Sequence, residues 1–320
     1  MANAKCTDDE FIALWKRAGG AQAVAEALGS PVRRVYDRRR RIEGKHGVVL
    51  AAVHENSHDP NPVNLPRKGI RAHDSIKGTV IVASDCHWWP GESSVAHKAC
   101  VKLCKEMQPS MVILNGDLMD GARLCRQDPI GWDKSTAPTV KEEIEALQER
   151  ATEIALAAGK RCKRVRTIGN HDIRLERYLA MNAGEMEGLP ATTLEWFIPE
   201  WETTWSILLN ETCMVKHRFA NGVHAGYNNA LKNGKTMVTG HLHRLLVTPW
   251  ADYNGCRWGV DTGTLSDIGP EAPQFTYDED SPRPWSSGFA VLTFDKNGML
   301  LAPELVQVIN GTAYFRGKAV

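Results

Sequence analysis

The residues able to do chemistry in this chain are aspartates, histidines and one asparagine that recur at the ends of short apolar runs. Asp85-Cys86-His87 follows the run Thr79–Ser84, and Asn115-Gly116-Asp117 follows Met111–Leu114. Gly169-Asn170-His171-Asp172 follows Arg164–Ile168, His217 follows Thr212–Lys216, and Gly240-His241-Leu242-His243 follows Thr236–Thr239. Asp, Asn and His without cysteine suit a hard-to-borderline divalent cation. The set Asp85, His87, Asp117, Asn170, His217, His241 and His243 exceeds what one ion needs; two ions ~3.5–4 Å apart would use all of it. The D-x-H and H-x-H spacings fit, because two side chains two residues apart in an irregular turn can converge on one ion. His224 competes with His217 for one place. His217 closes an apolar run as the other candidates do, whereas His224 stands before a helix, so strand-end placement favours His217.

The elements that must position these residues follow from periodicity. The apolar runs are short and β-branched, as strands are. They alternate with helical stretches over Ser93–Met107, Thr139–Ala158 and Ile173–Asn182, which predicts an α/β domain over residues 78–320. In such sheets ligands bind beyond the carboxyl ends of the strands, which is where all five motifs fall. Gly116, Gly169 and Gly240 are expected where the chain turns sharply off a strand. The stretch Leu189–Trp205, rich in Trp, Pro and Glu, has no readable period. Trp88-Trp89 could stack a base, but packing is the commoner role of tryptophan, and Cys86 is expected as a small buried filler.

Residues 1–50 read as a separate all-α unit and 51–77 as linker. Thr7-Asp-Asp-Glu10 is a capping-box pattern opening a first helix, and Gly19-Gly20 stops it. A second helix carries Ala21, Val24, Ala25 and Leu28. Ser30-Pro31 starts a third, with an apolar stripe of Val32, Val35, Tyr36 and Ile42. The outer face of that helix holds Arg33, Arg34, Arg38, Arg40 and Arg41, the predicted DNA-contacting residues.

Composition limits the functions available. Net charge is +1 over 320 residues, so the whole molecule is not a general polyanion binder. Residues 1–78, however, carry 14 Lys/Arg against 9 Asp/Glu, and the remainder 25 against 29, which places a basic module on a mildly acidic body. The 8 cysteines are scattered without a C-x-x-C pair, so no zinc ribbon is indicated; Cys100 and Cys104, one helical turn apart, are expected on a buried helix face. No secretory signal or bilayer-length apolar run is visible. The expectation is a cytoplasmic, intracellular protein with no membrane partner.

Taken in order, D-x-H, G-D, G-N-H-D, H and G-H-x-H resemble the calcineurin-like metallophosphoesterase family over roughly residues 79–300. The resemblance implies a four-layer α/β/β/α sandwich, here preceded by a small all-α helix-turn-helix domain. It implies two divalent ions, one on Asp85, His87 and His243 and the other on Asn170, His217 and His241, with Asp117 bridging. A hydroxide between the ions would attack phosphorus in line. His171 would stabilise the transferring group or protonate the leaving oxygen, Asp172 would orient His171, and Arg174 and Arg244 are candidate phosphate contacts. Mn²⁺ is the first choice of metal, with Mg²⁺, Zn²⁺ or Fe also compatible. Protein Ser/Thr phosphatases of the family carry Arg-Gly after the second aspartate of G-D-x-x-D and end the next motif in Glu; here Asp120 is followed by Gly121-Ala122-Arg123, and Asp172 stands in place of the Glu. The Gly-Asp-Leu-Met-Asp form resembles the Mre11/SbcD nuclease branch, and the combination with a helix-turn-helix resembles phage proteins. The expected function is therefore a DNA-directed phosphodiesterase or nuclease. The alternatives are a small-molecule phosphodiesterase or phosphatase with a partner-binding helical module, and a DNA-binding regulator with an inactive phosphoesterase domain.

Overall fold

A computed structural model of the protein describes residues 6–18, 21–48, 50, 71–125, 137–269 and 284–320. The chain divides into two units, Met1–Leu65 and Pro66–Val320.

The described residues of the first unit form three helices, α1 (Asp8–Ala18), α2 (Ala21–Leu28) and α3 (Val32–His46). The capping box forms at the start of α1: the Thr7 amide donates to Glu10 Oε2 at 2.6 Å and the Glu10 amide to Thr7 Oγ1 at 3.2 Å. Phe11 and Trp15 from α1, Val24 from α2, and Val35 and Ile42 from α3 bury against one another, with Leu50 closing the cluster. Gly29 (φ 53°) takes the left-handed conformation that turns the chain from α2 into α3. Tyr36, expected on the apolar stripe, is exposed instead.

The second unit contains two sheets. The larger runs β14-β13-β12-β11-β2-β3-β4-β5 and the smaller β1-β6-β7-β8-β10-β9. The larger is built from β2 (Gly78–Ala83), β3 (Met111–Asn115), β4 (Lys163–Thr167), β5 (Glu202–Thr204), β11 (Gly288–Phe294), β12 (Glu304–Ile309), β13 (Thr312–Phe315) and β14 (Lys318–Ala319). The smaller uses β1 (Arg71–Asp74), β6 (Ser206–Leu209), β7 (Cys213–Lys216), β8 (Thr236–Thr239), β9 (Leu245–Asp252) and β10 (Gly255–Thr262). Among the described residues the α-helices of this unit are α4 (Val95–Met107), α5 (Val140–Ala158), α6 (Arg174–Asn182) and α7 (Ala225–Asn233). β2, β3, β4 and β5 pair in parallel with the crossover helices between them, the arrangement that puts several strand ends on one rim.

Alternation along the strands sets the layers. On β2, Val80 and Val82 pack between the sheets with Met111, Ile113, Val215, Val238 and Val260. Ile81 and Ala83 face the other way, onto Ala99, Cys100 and Leu103 of α4 and Leu147, Ala151 and Ile154 of α5. Cys100 and Cys104 are both buried on that helix face. α7 packs on β8, β9 and β10 of the smaller sheet. The order of layers is therefore helix, sheet, sheet, helix.

Two stretches without a sequence period are also placed. Residues 71–74, inside the expected linker, form edge strand β1 in parallel with β6, while residues 51–70 lie outside the described residues. Leu189–Trp205 contains a single 3-10 turn at Leu194–Trp196 and β5, and buries Ile198 and Trp201.

Candidate metal centre

The loops leaving β2, β3, β4, β7 and β8 meet where the two sheets end together. Their backbone is unusual. Asp85 (φ 51°), His87 (39°), Asp117 (54°), His241 (72°) and His243 (54°) all adopt positive φ. Non-glycine residues enter this region at a cost of order 1–3 kcal/mol each and stay only where neighbours hold them. Here the loops are laced to one another. Asp85 N–H donates to Gly116 O (2.9 Å), His87 N–H to Asp117 O (3.1 Å), Trp88 N–H to Leu118 O (2.9 Å) and Gly240 N–H to His217 O (2.9 Å). Ser266 Oγ donates to Cys86 O (2.7 Å).

The three glycines work differently from one another. Gly116 has φ 81° and so turns the chain as expected. Gly169 and Gly240 do not have positive φ; they are required for space. A Cβ on Gly169 would strike the backbone and carboxylate of Asp117, and one on Gly240 would strike the Asp85 carboxylate and Ser84 Oγ.

Among the described residues three trios have ligand atoms within 4.8 Å of one another: Asp85/His87/His243, Asp117/His217/His241 and, sharing His87 with the first, His87/Asp120/His171. Within the first, His243 Nε2 lies 3.1 Å from Asp85 Oδ1 and 3.3 Å from His87 Nε2. Within the second, His217 Nε2 lies 3.0 Å from Asp117 Oδ2. Neighbouring ligands of one ion at metal–ligand distances of about 2.1 Å stand roughly 3.0–3.4 Å apart, so these spacings fit a cation between them. The far sides of the rings are committed in the manner of metal-bound imidazoles: His217 Nδ1 faces Asn115 O at 2.8 Å and His87 Nδ1 faces Asp120 Oδ1 at 3.2 Å, leaving each Nε2 toward the centre. Asn170 Oδ1 is buried without a hydrogen-bond partner, as an oxygen placed for a cation would be. His224 is exposed at the start of α7 and belongs to none of these trios.

The electrostatics agree with a site built for positive charge. Burial disfavours ionised Asp117, but the facing His217 outweighs it and holds the carboxyl far below the usual range. Burial likewise opposes protonation of His217, and Asp117 and Asp85 raise it to about 9. Asp85 is held low against burial by His243 and His217.

Asp172 does not orient His171. Its Oδ2 accepts the amides of Gly169 (2.8 Å) and Asp117 (3.1 Å), and its Oδ1 that of Leu118 (2.8 Å). It is a buried clamp joining the β3 and β4 loops. Adjacency in sequence to His171 was misleading, since consecutive residues of the turn point apart. The carboxylate on His171 is Asp120, whose backbone oxygen lies 2.9 Å and Oδ1 3.2 Å from His171 Nδ1. Asp120 therefore serves both His87 and His171; its signal was the second aspartate of Gly116-Asp117-Leu118-Met119-Asp120. Glu143 of α5 in turn accepts the amides of Gly121 (2.6 Å) and Ala122 (3.2 Å) and fixes the loop after Asp120. Trp285, unmarked in the sequence, lays its ring 4.5 Å from that of His243.

Arg174 reaches the centre. It donates to Asp120 O at 2.7 Å and lies 3.0 Å from His171 Nε2. A guanidinium can only donate, so Nε2 accepts and Nδ1 carries the proton in this arrangement. Burial opposes a second proton while Asp120 and Asp117 favour it, leaving the ring's pKa above its ordinary value; taking that proton requires Arg174 to swing off Nε2. Arg244 binds the carbonyls of Gly222 (3.1 Å) and Val223 (3.0 Å) and so ties down a loop. Trp88 is buried against His97, and Cys86 is buried with its thiol pushed up by desolvation, so neither is an exposed stacking platform or a nucleophile.

The five arginines of α3 divide. Arg33, Arg34 and Arg40 are exposed. Arg41 is exposed and 3.7 Å from Asp8. Arg38 is committed within the unit: it donates to Cys6 O at 2.6 Å and stacks on Phe11 at 4.9 Å.

No family model and no curated protein matches the sequence. Among solved structures, the fold is similar to wild-type Vps29 complexed with zinc from Entamoeba histolytica, at 13% identity and TM-score 0.39, covering 76% of this chain and 98% of that one. It is similar to a single mutant of the same protein at 12% identity and TM-score 0.38, covering 76% and 99%. A dimetal phosphatase from Danio rerio is similar at 12% identity and TM-score 0.35, covering 76% and 98%.

Proposed function

We propose that the chain is a two-metal phosphoester hydrolase that acts on DNA as a phosphodiesterase or nuclease. The observation that carries the hydrolase reading is the pair of Asp/His trios on backbone bent to hold them, with the orphaned Asn170 oxygen beside them. Asp85, His87 and His243 would hold one ion, and His217, His241 and Asn170 the other, with Asp117 shared. Divalent ions bound there supply Lewis acidity to the phosphoryl group and make water acidic enough to act as a nucleophile near neutral pH. His171, steadied by Asp120, faces the reacting group and moves the proton at Nε2 once Arg174 has turned to the phosphoryl oxygens. The imidazole-rich donor set suits Mn²⁺, Zn²⁺ or Fe better than Mg²⁺, which prefers carboxylates and water.

The DNA reading is supported by Arg33, Arg34 and Arg40, which lie exposed on a single helix of a compact three-helix unit and suit phosphate contacts. The test is turnover by purified protein with Mn²⁺, Mg²⁺, Zn²⁺ or Ca²⁺ on supercoiled plasmid, linear duplex, single-stranded DNA and a chromogenic diester, with metal content measured alongside. Metal-dependent cleavage of at least one DNA form is expected. Diester turnover without any DNA cleavage overturns the DNA assignment, and failure to bind metal overturns the hydrolase reading.

A further inference from the structure

Beside the metal centre lies a cavity of about 320 Å³ with His87 in its wall. None of the residues assigned above to phosphate contact lines it. Its apolar walls are Trp89, Pro90 and Leu265, and Trp89 is half-buried. The volume is at the small end for ligand pockets, which run about 300–1,000 Å³, and matches one base with its sugar rather than a stretch of polymer.

Among the described residues the polar lining offers an anion no unpaired cationic side chain. Its one arginine, Arg150, donates NH1 to Glu153 at 2.8 Å and NH2 to Gly91 O at 2.7 Å. The hydroxyls of Ser94 and Ser266 already donate to the carbonyls of Leu265 and Cys86. Glu92 is paired with Lys98. Asp267 is exposed on the rim and presents an acceptor to the cavity, as does the Ser93 hydroxyl, which can also donate. Among the described residues, a phosphate placed here would meet the carboxylates of Glu92 and Asp267 and no unpaired cationic side chain. An uncharged planar group with N–H donors would meet an indole face for stacking and acceptors at its edge.

From this we infer that the cavity beside His87 takes the uncharged aromatic part of the ester, a single nucleoside or a group of like shape, while further phosphates of a substrate lie elsewhere. The inference rests on reading the neighbouring centre as a phosphoesterase site, because that is what places an esterified group at His87. It makes the enzyme a reader of one residue next to the scissile phosphate, engaging it by stacking and not by charge.

The experiment measures adenosine binding to the full chain in EDTA by saturation-transfer NMR, so that no catalysis is involved. Adenosine is expected to bind, Trp89→Phe to keep the affinity within about threefold, and Trp89→Ala to weaken it about tenfold, the loss of one stacking platform. Adenosine 3′,5′-bisphosphate is expected to bind no tighter than adenosine under these conditions. Absence of adenosine binding, equal binding by Trp89→Ala, or tighter binding of the bisphosphate without metal would each overturn the proposal. A thermal unfolding scan of both variants shows that the comparison is made between folded proteins. If adenosine binds as expected while the metal-loaded protein hydrolyses no phosphoester, the pocket stands and the hydrolase reading falls; the reverse pattern discards the pocket alone.

Discussion

The metal centre and the basic helix both concentrate charge, and the protein treats them in opposite ways. At the centre, Asp85, Asp117, His87 and His217 are almost fully buried, the first three on left-handed backbone, and all are braced by a further layer of polar groups. On α3, Arg33, Arg34 and Arg40 project from a regular helix into water, and only Arg38 and Arg39 pack back, on Phe11 and Trp15. Buried charges depend on position to fractions of an ångström, because burial is costly unless each partner is exact in distance and angle. Solvated charges act through their sum and tolerate loss of one member. The first region is therefore brittle and specific, the second graded.

The comparison is tested hardest at Asp117. Asp117→Asn removes the charge that faces His217 and the shared ligand, and should lower turnover of a chromogenic diester by about 10³-fold or more, with bound metal reduced by elemental analysis. A variant as fast as the parent ends the two-metal reading. Next comes Asp172, which touches no ligand side chain. Asp172→Ala leaves three buried amides without acceptors and should destabilise the fold by roughly 3 kcal/mol or more, read as a loss in the denaturation midpoint. Were stability unchanged and only turnover lost, Asp172 would belong to the chemistry and not to the frame.

On the graded side, replacing Arg33, Arg34 and Arg40 together with Ala should weaken DNA binding about tenfold in moderate salt and reduce the slope of log affinity against log salt by about 0.9 per lost phosphate contact. Chromogenic-diester turnover should not move. Arg38→Ala, by contrast, should lower the stability of the helical unit, since its guanidinium packs on Phe11. A uniform response of all four arginines would erase the distinction.

The smallest effect concerns pH. Burial, followed by the charge of Asp120, raises the Glu143 carboxyl to about 7 against the donation of the Gly121 and Ala122 amides. The folded state thus holds this proton more tightly than the unfolded state, whose carboxyl titrates near 4.5. Its contribution to stability is present below about pH 4.5 and is lost as pH rises to about 7. Melting temperature should fall by a few degrees across that window, and Glu143→Gln should flatten the fall. An identical pH profile in the variant removes Glu143 from the account.

Much of this was legible in the sequence, for a physical reason. Ligands must be Asp, His or Asn, and parallel strands deliver them at one rim, so type and strand-end position were enough to bring Asp85, His87, Asp117, Asn170, His217, His241 and His243 forward. The short β-branched run Thr79–Ser84 likewise announced a strand, which the fold buries on both faces. What could not be read was direction and distance. Asp172 sits next to His171 in the chain but aims at the β3 loop, while Asp120 and Glu143 arrive from other segments. Arg38 and Arg40 look alike in a basic run, and only the position of Phe11 separates them. β1, with the sequence Arg-Ala-His-Asp, carries no apolar alternation because it is an edge strand whose side chains stay partly in water. Trp285 and the cavity beside His87 depend on chain segments far apart in sequence, which no local pattern encodes.

The five left-handed residues have an implication for inheritance and design. Because the bends belong to the main chain, the side chains alone are not a portable unit. Grafting Asp, His and Asn onto straight strand ends elsewhere would aim them apart, whereas a relative that kept the bends but exchanged the ligands for Asn or Gly would retain the cradle and lose the reactivity. A lineage could thus silence this centre, and later restore it, by point substitutions on an unchanged frame.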